Sequence, residues 1–209
     1  ESDMCGRFAF YSPSEATAAL FGAASSTEVV PRYNIAPTQY IAAVRGDEQG
    51  ASELAMLRWG LVPSWAKDAA VGNRMINARA ETVAEKPSYK RALASRRCLV
   101  PADGFYEWQS PPEGSIAATG TKPRKQPYFL HPADGTGLAM AGLYEWWRDK
   151  DVEDDEDPRA WLLSTTIITT SARDEVGQIH DRMPVAVLPE QRDAWLDPAT
   201  PGSQVLAEL

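Results

Sequence analysis

RRCLVPADGFYEWQ, residues 96–109, is the stretch on which the fold turns. RRCLVPA and FYEWQ read as strands, with ADG as the turn chemistry between them. Cys98, inside the first strand, has the context of a small buried hydrophobe. In the second strand Glu107 sits among aromatic side chains. A carboxylate there is either an outward-facing strand residue or, if buried, a group whose pKa rises until it can move protons near neutral pH. GLYEW (142–146) echoes GFYEW (104–108), and the local pattern does not choose between Glu107 and Glu145.

Outward from this stretch, strands are predicted at YIAAVR (40–45) and LAMLRW (54–59), joined by the polar turn GDEQGAS. PYFLH (127–131), LAMAGLYEWW (138–147), AWLLSTTIITT (160–170) and PVAVL (184–188) add further strands. SPSE (12–15) has capping-box form, with Ser12 as N-cap, Pro13 at N1 and Glu15 at N3, and predicts a helix to about Phe21. Short helices are expected after Pro87, over SARDEV (171–176) with Ser171 as N-cap, and last over PEQRDAWL (189–196). GLVPSWAKD (60–68) and residues 110–126 read as loops, the second mobile. Many short strands with few short helices predict an α+β or mostly-β domain. At 209 residues with no linker, one domain is expected.

Two cysteines argue against a disulfide framework and point to a reducing compartment, a bacterial cytoplasm. No apolar run approaches the roughly 18 residues of a membrane span. A net charge of -8 argues against a general grip on nucleic acid. That average hides a segment, Arg58–Arg97, with nine Lys/Arg and three acids, and a run from Arg148 to Asp157 with seven acids and two bases. The acidic run reads as a solvated loop. The basic segment is either a solvated face or a local phosphate-binding surface, because counterion release depends on local charge.

The chain opens ESDMCGRF. Met4 reads as a native start, and Glu1–Asp3 as residues left by cloning. Loss of Met4 would leave Cys5 with a free α-amine, a group that ordinarily titrates at about 7.7–8.0, beside a thiol that ordinarily titrates at about 8.5. Such a 1,2-aminothiol condenses with an aldehyde to an imine, which the thiol closes to a thiazolidine. The alternative for Cys5 is a buried hydrophobe. His180, in QIHDRMPVAV, is either a general acid/base or a structural loop residue, and His131 reads as surface. Asn77 and Arg79, in MINARAET, are either a polar site or a turn with a solvated Arg. Pro37 in NIAPTQ and Trp65 in the 60–68 loop suit contact with unpaired bases, although core is the commoner fate of Trp. No CxxC or HxxxH spacing supports a metal, and no phosphate-cradling glycine loop is present.

Taken in order, MCGRF (4–8), RYNIAPTQ (32–39), RWGLVPSWAKD (58–68), NARAET (77–82), RRCLVPADGFYEW (96–108), KQPYFL (125–130), STTIITTSA (164–172) and IHDRMPVAV (179–187) closely resemble the SOS response-associated peptidase (SRAP) family. The resemblance implies a compact α+β domain with a β-rich, barrel-like core and short peripheral helices. It implies a sensor of abasic sites in single-stranded DNA, or at single-strand/duplex junctions, that captures the opened sugar aldehyde as a thiazolidine crosslink. No metal or cofactor is implied, and a monomer is expected. Carried over, Cys5 supplies amine and thiol, Asn77 positions it, Glu107 rather than Glu145 is the acid/base, and His180 assists proton transfer. Arg7, Arg79 and Arg182 become phosphate-binding or site-organising residues. Pro37 and Trp65 line a DNA groove, which Lys67 and Arg91 of the basic segment join. Two departures stand out. With residues 1–4 attached, the nitrogen of Cys5 is an amide and cannot form a thiazolidine. Relatives also continue past the last motif with a strand-rich tail, whereas this chain ends at Leu209. A peptidase limited to the Met4–Cys5 bond, and a non-covalent DNA binder, are the competing readings.

Overall fold

Asp103 is where the chain changes sheets. The two strands of the opening stretch, β6 (Arg97–Ala102) and β7 (Gly104–Gln109), do not pair with each other as a hairpin. The Asp103 carboxylate instead accepts the backbone N–H of Tyr11 at 2.7 Å and the Ser12 hydroxyl at 2.6 Å. Its own N–H donates to Ala9 O at 2.8 Å. These bonds tie the crossover to the N-terminal segment. The computed structural model describes residues 5–12, 22, 28–46, 51–116 and 123–209. The expected helix after Ser12, the reading of residues 1–4, the centre of the 46–52 turn and part of the 110–126 loop lie outside them.

Five strands close on themselves: β3 (Tyr40–Gly46), β4 (Ser52–Trp59), β6, β9 (Leu138–Arg148) and β10 (Trp161–Ser171). β9 pairs with both β6 and β10, and β4 pairs parallel with β10, so no member of this barrel presents a free edge. Leu57, Trp59, Val44, Leu99, Met140, Leu143, Ile167 and Ile168 on its strands are each at most 1% exposed, and because Ile167 and Ile168 point to opposite faces, both sides of the barrel wall are covered. β10 is long enough to serve two neighbours per edge. One edge takes β9 and then β11 (Arg182–Pro184); the other takes β4 and then β5 (Asn77–Arg79). The second sheet has the order β2 (Arg32–Ile35), β1 (Phe8–Phe10), β7, β8 (Gln126–Leu130). It packs on the barrel through Phe8, whose ring meets Trp59 edge-on at 5.2 Å.

Among the described residues the helices are α1 (Pro87–Ser95), α2 (Asp174–Gly177), α3 (Arg192–Leu196) and α4 (Gly202–Glu208). α1 begins at Pro87 as expected. The 171–176 helix is a single turn, and Ser171 belongs to β10 rather than serving as its cap, because the β10–β11 pairing continues through Ser171–Arg182. The helix at 189–196 is not the last, since α4 follows and packs on α1 and α3. PVAVL is not a full strand. Pairing with β10 stops at Pro184, and Val185 and Val187 donate singly to Ile168 and Ala139, because β9 already occupies the earlier part of that edge. The acid-outward alternation fails in both echo segments: Glu107 is 2% and Glu145 6% exposed.

Candidate functional site

Period-two alternation along β7 places Phe105, Glu107 and Gln109 on one face, the face that packs toward the barrel. β1 runs antiparallel beside it, with Phe8 opposite Phe105 and Tyr106 N–H donating to Arg7 O at 2.9 Å. That register carries the chain from β1 back to Cys5 at the level of Glu107. The backbone nitrogen of Cys5 donates to Glu107 Oε1 at 2.8 Å. Cys5 is 3% exposed and has φ of 48°, an unusual conformation for a residue with a side chain. Burial, and then the adjacent carboxylate, hold the Cys5 thiol well above its ordinary pKa, with Arg182 pulling it partly back.

Arg182, 7% exposed, is gripped on both sides. Its guanidinium donates to the Glu81 carboxylate at 2.6 and 2.9 Å and to Thr169 O at 2.7 Å. The bidentate bond from Arg182 lowers the Glu81 pKa despite partial burial. The guanidinium is therefore occupied by protein groups, and its arrangement is that of a site organiser. Its backbone N–H donates to His180 Nδ1 at 3.1 Å, and Asp181 Oδ1 lies 3.0 Å from the same nitrogen. With Nδ1 accepting, a neutral His180 carries its proton on Nε2; once protonated, Nδ1 can donate to Asp181 instead. Cys5–Glu107 and His180–Arg182 are thus two contact pairs, and the charge of Arg182 acts on the Cys5 thiol.

Asn77 opens β5 beside Ile167, and Arg79 ends it, exposed, beside Thr169. β5 is the strand that NARAET forms where a turn was the alternative. Arg7 is half-buried and donates to Asn34 Oδ1 at 3.0 Å. Pro37 is half-buried in a turn whose next residue, Thr38, has φ of 71°. Trp65, 63% exposed, and Lys67, also exposed, ride on the loop between β4 and β5. Arg91 is exposed on α1. The basic segment is not a uniform surface: Arg96 pairs with Glu145 at 2.8 Å, and Arg97 is 3% exposed among backbone carbonyls. The echo is resolved by those contacts, because Glu145 is held by Arg96 and Trp146 N–H while Glu107 faces Cys5. Cys98 is fully buried against Thr165, with its thiol pushed up to about 12. His131 is exposed.

Sequence reasoning missed Glu81, Thr169, Gln109 and Tyr128. Tyr128 lies directly opposite Glu107 in the β7–β8 pairing and donates to Gln109 Oε1 at 3.2 Å. Gln109 could have been found from alternation alone, two residues beyond Glu107. The others required knowledge of strand pairing.

Residues 4–209 match the model of the SOS response associated peptidase (SRAP) family. The chain is 38% identical over 210 residues to the abasic site processing protein YoqW of Bacillus subtilis, covering 99% of this chain and 86% of that one. It is 36% identical over 181 residues to the abasic site processing protein HMCES of Gallus gallus, covering 74% of this chain and 48% of that one. A crystal structure of a Bacteroides thetaiotaomicron protein superimposes with a TM-score of 0.82 at 24% identity, over 97% of this chain and 85% of its own, and shares the fold. With Cys5 held against the buried Glu107 and the family's model matching residues 4–209, this chain belongs to the SRAP family.

Proposed function

We propose that this chain processes abasic sites in DNA, and that it captures the ring-opened sugar in single-stranded DNA, or at a single-strand/duplex junction, through Cys5 as a thiazolidine. The observation that carries the reading is the 2.8 Å contact between Cys5 N and Glu107 Oε1 inside a buried site. The relatives named for abasic site processing support the substrate class.

The chemistry requires Met4 to be removed, so that the atom now donating to Glu107 is an amine. Glu107 accepts a proton from that amine, which attacks the sugar aldehyde carbon. With a proton delivered by Glu107 or His180 the carbinolamine hydroxyl leaves as water, and the nitrogen returns its remaining proton to the same group, giving an imine. The thiol then adds to the imine carbon, its proton passing to the imine nitrogen through Glu107. Because burial, and then the neighbouring carboxylate, keep the thiol neutral, the amine is the first nucleophile and the thiol the second. His180 Nε2, free of the Arg182 bond, moves the proton in sugar opening and in reversal. Asn77 holds the terminal residue, and Arg7 and Arg79 face the flanking phosphates. Pro37, Trp65, Lys67 and Arg91 carry the strand. Arg182 acts by holding His180 and Glu81 rather than by free phosphate contact.

The test is a denaturing gel of chain beginning at Cys5, mixed with single-stranded DNA holding one abasic site. A slow covalent band, lost in Cys5→Ala, is expected. A shift on native gels alone would leave only a non-covalent binder. The same contact favours one second reading, a limited peptidase at the Met4–Cys5 bond: Glu107 takes a proton from a water that attacks the Met4 carbonyl carbon and passes it to the Cys5 nitrogen as the C–N bond breaks, releasing Met4 with a free carboxyl group. Chain beginning at Met4 should then shorten on standing, at a rate reduced by Glu107→Gln, as read by intact mass.

A further inference from the structure

The segment carrying His180 is a small closed unit. β10 ends at Ser171, α2 makes a single turn, and Ala172 N–H closes the loop on Asp181 O at 2.8 Å. Asp174 enters the turn at φ of 52°, and the N–H groups of both Ile179 and His180 fold back on Val176 O at 2.9 Å. The far side of this unit is β7, the strand of Glu107. The hydrogen bond that joins them is donated by Gln109 Nε2 to Gln178 O at 2.8 Å. Gln178 caps the C-terminus of α2, where helix carbonyls lack intrahelical partners, so its carbonyl is a natural acceptor. The carboxamide is itself oriented. Its Oε1 accepts from Tyr128 OH at 3.2 Å, which leaves Nε2 to point at Gln178. Tyr128 is the direct cross-strand partner of Glu107 and the diagonal neighbour of Gln109, so all three share one face of the sheet.

From this geometry we propose that Gln109 is a positioning residue for His180, a latch that sets how closely the His180 loop stands to the Glu107 strand, with Tyr128 fixing the orientation of the latch. Arg182 N–H fixes the imidazole ring within its loop; Gln109 fixes the loop against β7. The inference rests on the proposed crosslinking reading, because the distance it controls is that between two proton-transfer groups.

The test measures crosslinking rate against pH with chain beginning at Cys5 and single-stranded DNA holding one abasic site. Gln109→Met keeps the shape of the side chain and removes both hydrogen bonds. It should slow crosslinking by about 10-fold, a part of the roughly 100- to 10,000-fold that a positioned acid/base group contributes, and should change the pH profile. Affinity for the same strand carrying a tetrahydrofuran abasic analogue, which cannot open to an aldehyde, should stay at the wild-type value. In a His180→Ala background Gln109→Met should cause no further loss, because the two act through one group. Tyr128→Phe, which deletes only the outer bond, should show a smaller change of the same kind. A wild-type rate and pH profile in Gln109→Met would overturn the latch, as would full additivity with His180→Ala. Absence of any crosslink with the wild-type chain would instead overturn the reading on which the latch rests.

Discussion

At the residue scale, the ionisation of the Cys5 thiol is set first by burial and then by one carboxylate. Burial and the Glu107 charge both oppose thiolate formation. Glu107→Gln removes the charge but keeps the shape, so the Cys5 thiol should ionise at lower pH than in the wild type. Titrating thiolate absorbance in chain lacking Cys98 reads this directly; an unchanged or higher midpoint would contradict the assigned cause. The same variant should lose the covalent band, since an amide cannot take the proton of the amine. Glu81 is a second case. Its carboxylate neutralises a buried guanidinium but is itself partly open to water, with a side-chain exposure of 47%. Glu81→Gln should therefore destabilise the fold by about 2 kcal/mol, below the full penalty for an uncompensated buried charge. Because the folded Glu81 pKa is depressed, its contribution is present above the unfolded value of about 4.3 and disappears as pH falls through the folded value. Denaturant midpoints for wild type and variant should converge in acid.

At the scale of elements, the loop bearing Trp65 is an excursion between two strands that share one edge of β10. Its ends are pinned by Leu61 N–H to Met75 O at 3.1 Å, and its base by Trp59 Nε1 to Ile76 O and Val62 N–H to Ser164 Oγ. Gly60 and Gly72 cross inside it. A Cβ on Gly72 would sit 2.5 Å from Gly60 O and 2.9 Å from Val62 Cγ2. Gly72→Ala should cost about 3 kcal/mol. At about 2–4 °C per kcal/mol for a chain of this size, Tm should fall by about 6–12 °C. A calorimetric Tm within a degree of wild type would show that the crossing relaxes. Trp147 Nε1 donates to Ala66 O at 2.7 Å, so a barrel strand also holds the loop beside Trp65. Arg97 has the corresponding role at the other helices. Its guanidinium donates to Trp195 O at 2.6 Å, to Leu93 O at 2.8 Å, and to Ala94 O and Thr200 O at 2.9 Å, filling the C-terminal carbonyls of α1 and the turn after α3.

Across the whole molecule, the charge pattern and the core make separate predictions. Lys67, Arg74, Arg79, Lys86, Lys90 and Arg91 of the basic segment are exposed, so DNA binding should weaken as salt rises. Arg79→Gln should reduce the slope of log K against log salt by about 0.7, the value for one single-strand phosphate contact. An unchanged slope would remove Arg79 from the DNA face. The core holds the Cys98 thiol and the Tyr89 phenol neutral, each with its pKa pushed up to about 12, chiefly by burial. Folded values above unfolded ones mean that stability is intact below the unfolded thiol value of about 8.5 and is lost as pH rises from there toward 12. Cys98→Ala should lose part of that alkaline slope while carrying a constant packing penalty, which urea titrations between pH 8 and 10 would separate.

The residues themselves determined the fold class, most strands and α1, because alternation, turn chemistry and the order of motifs are local properties that survive in one dimension. Local pattern could not distinguish Glu107 from Glu145, nor show that Arg97 is buried, that Arg182 is engaged by Glu81, or that Gln109 bridges to Gln178. Both glutamates sit in the same aromatic context and both are buried; what separates them is which distant strand lies alongside. β1 brings a cysteine nitrogen to one, and β6 is preceded by an arginine that reaches the other. Those neighbours are chosen by barrel closure and by the crossover at Asp103, where groups as far apart in sequence as Cys5 and Glu107, 102 residues, become hydrogen-bonded. A carboxylate's partner decides whether it is an ion-pair member or a proton acceptor, and only the tertiary structure supplies the partner.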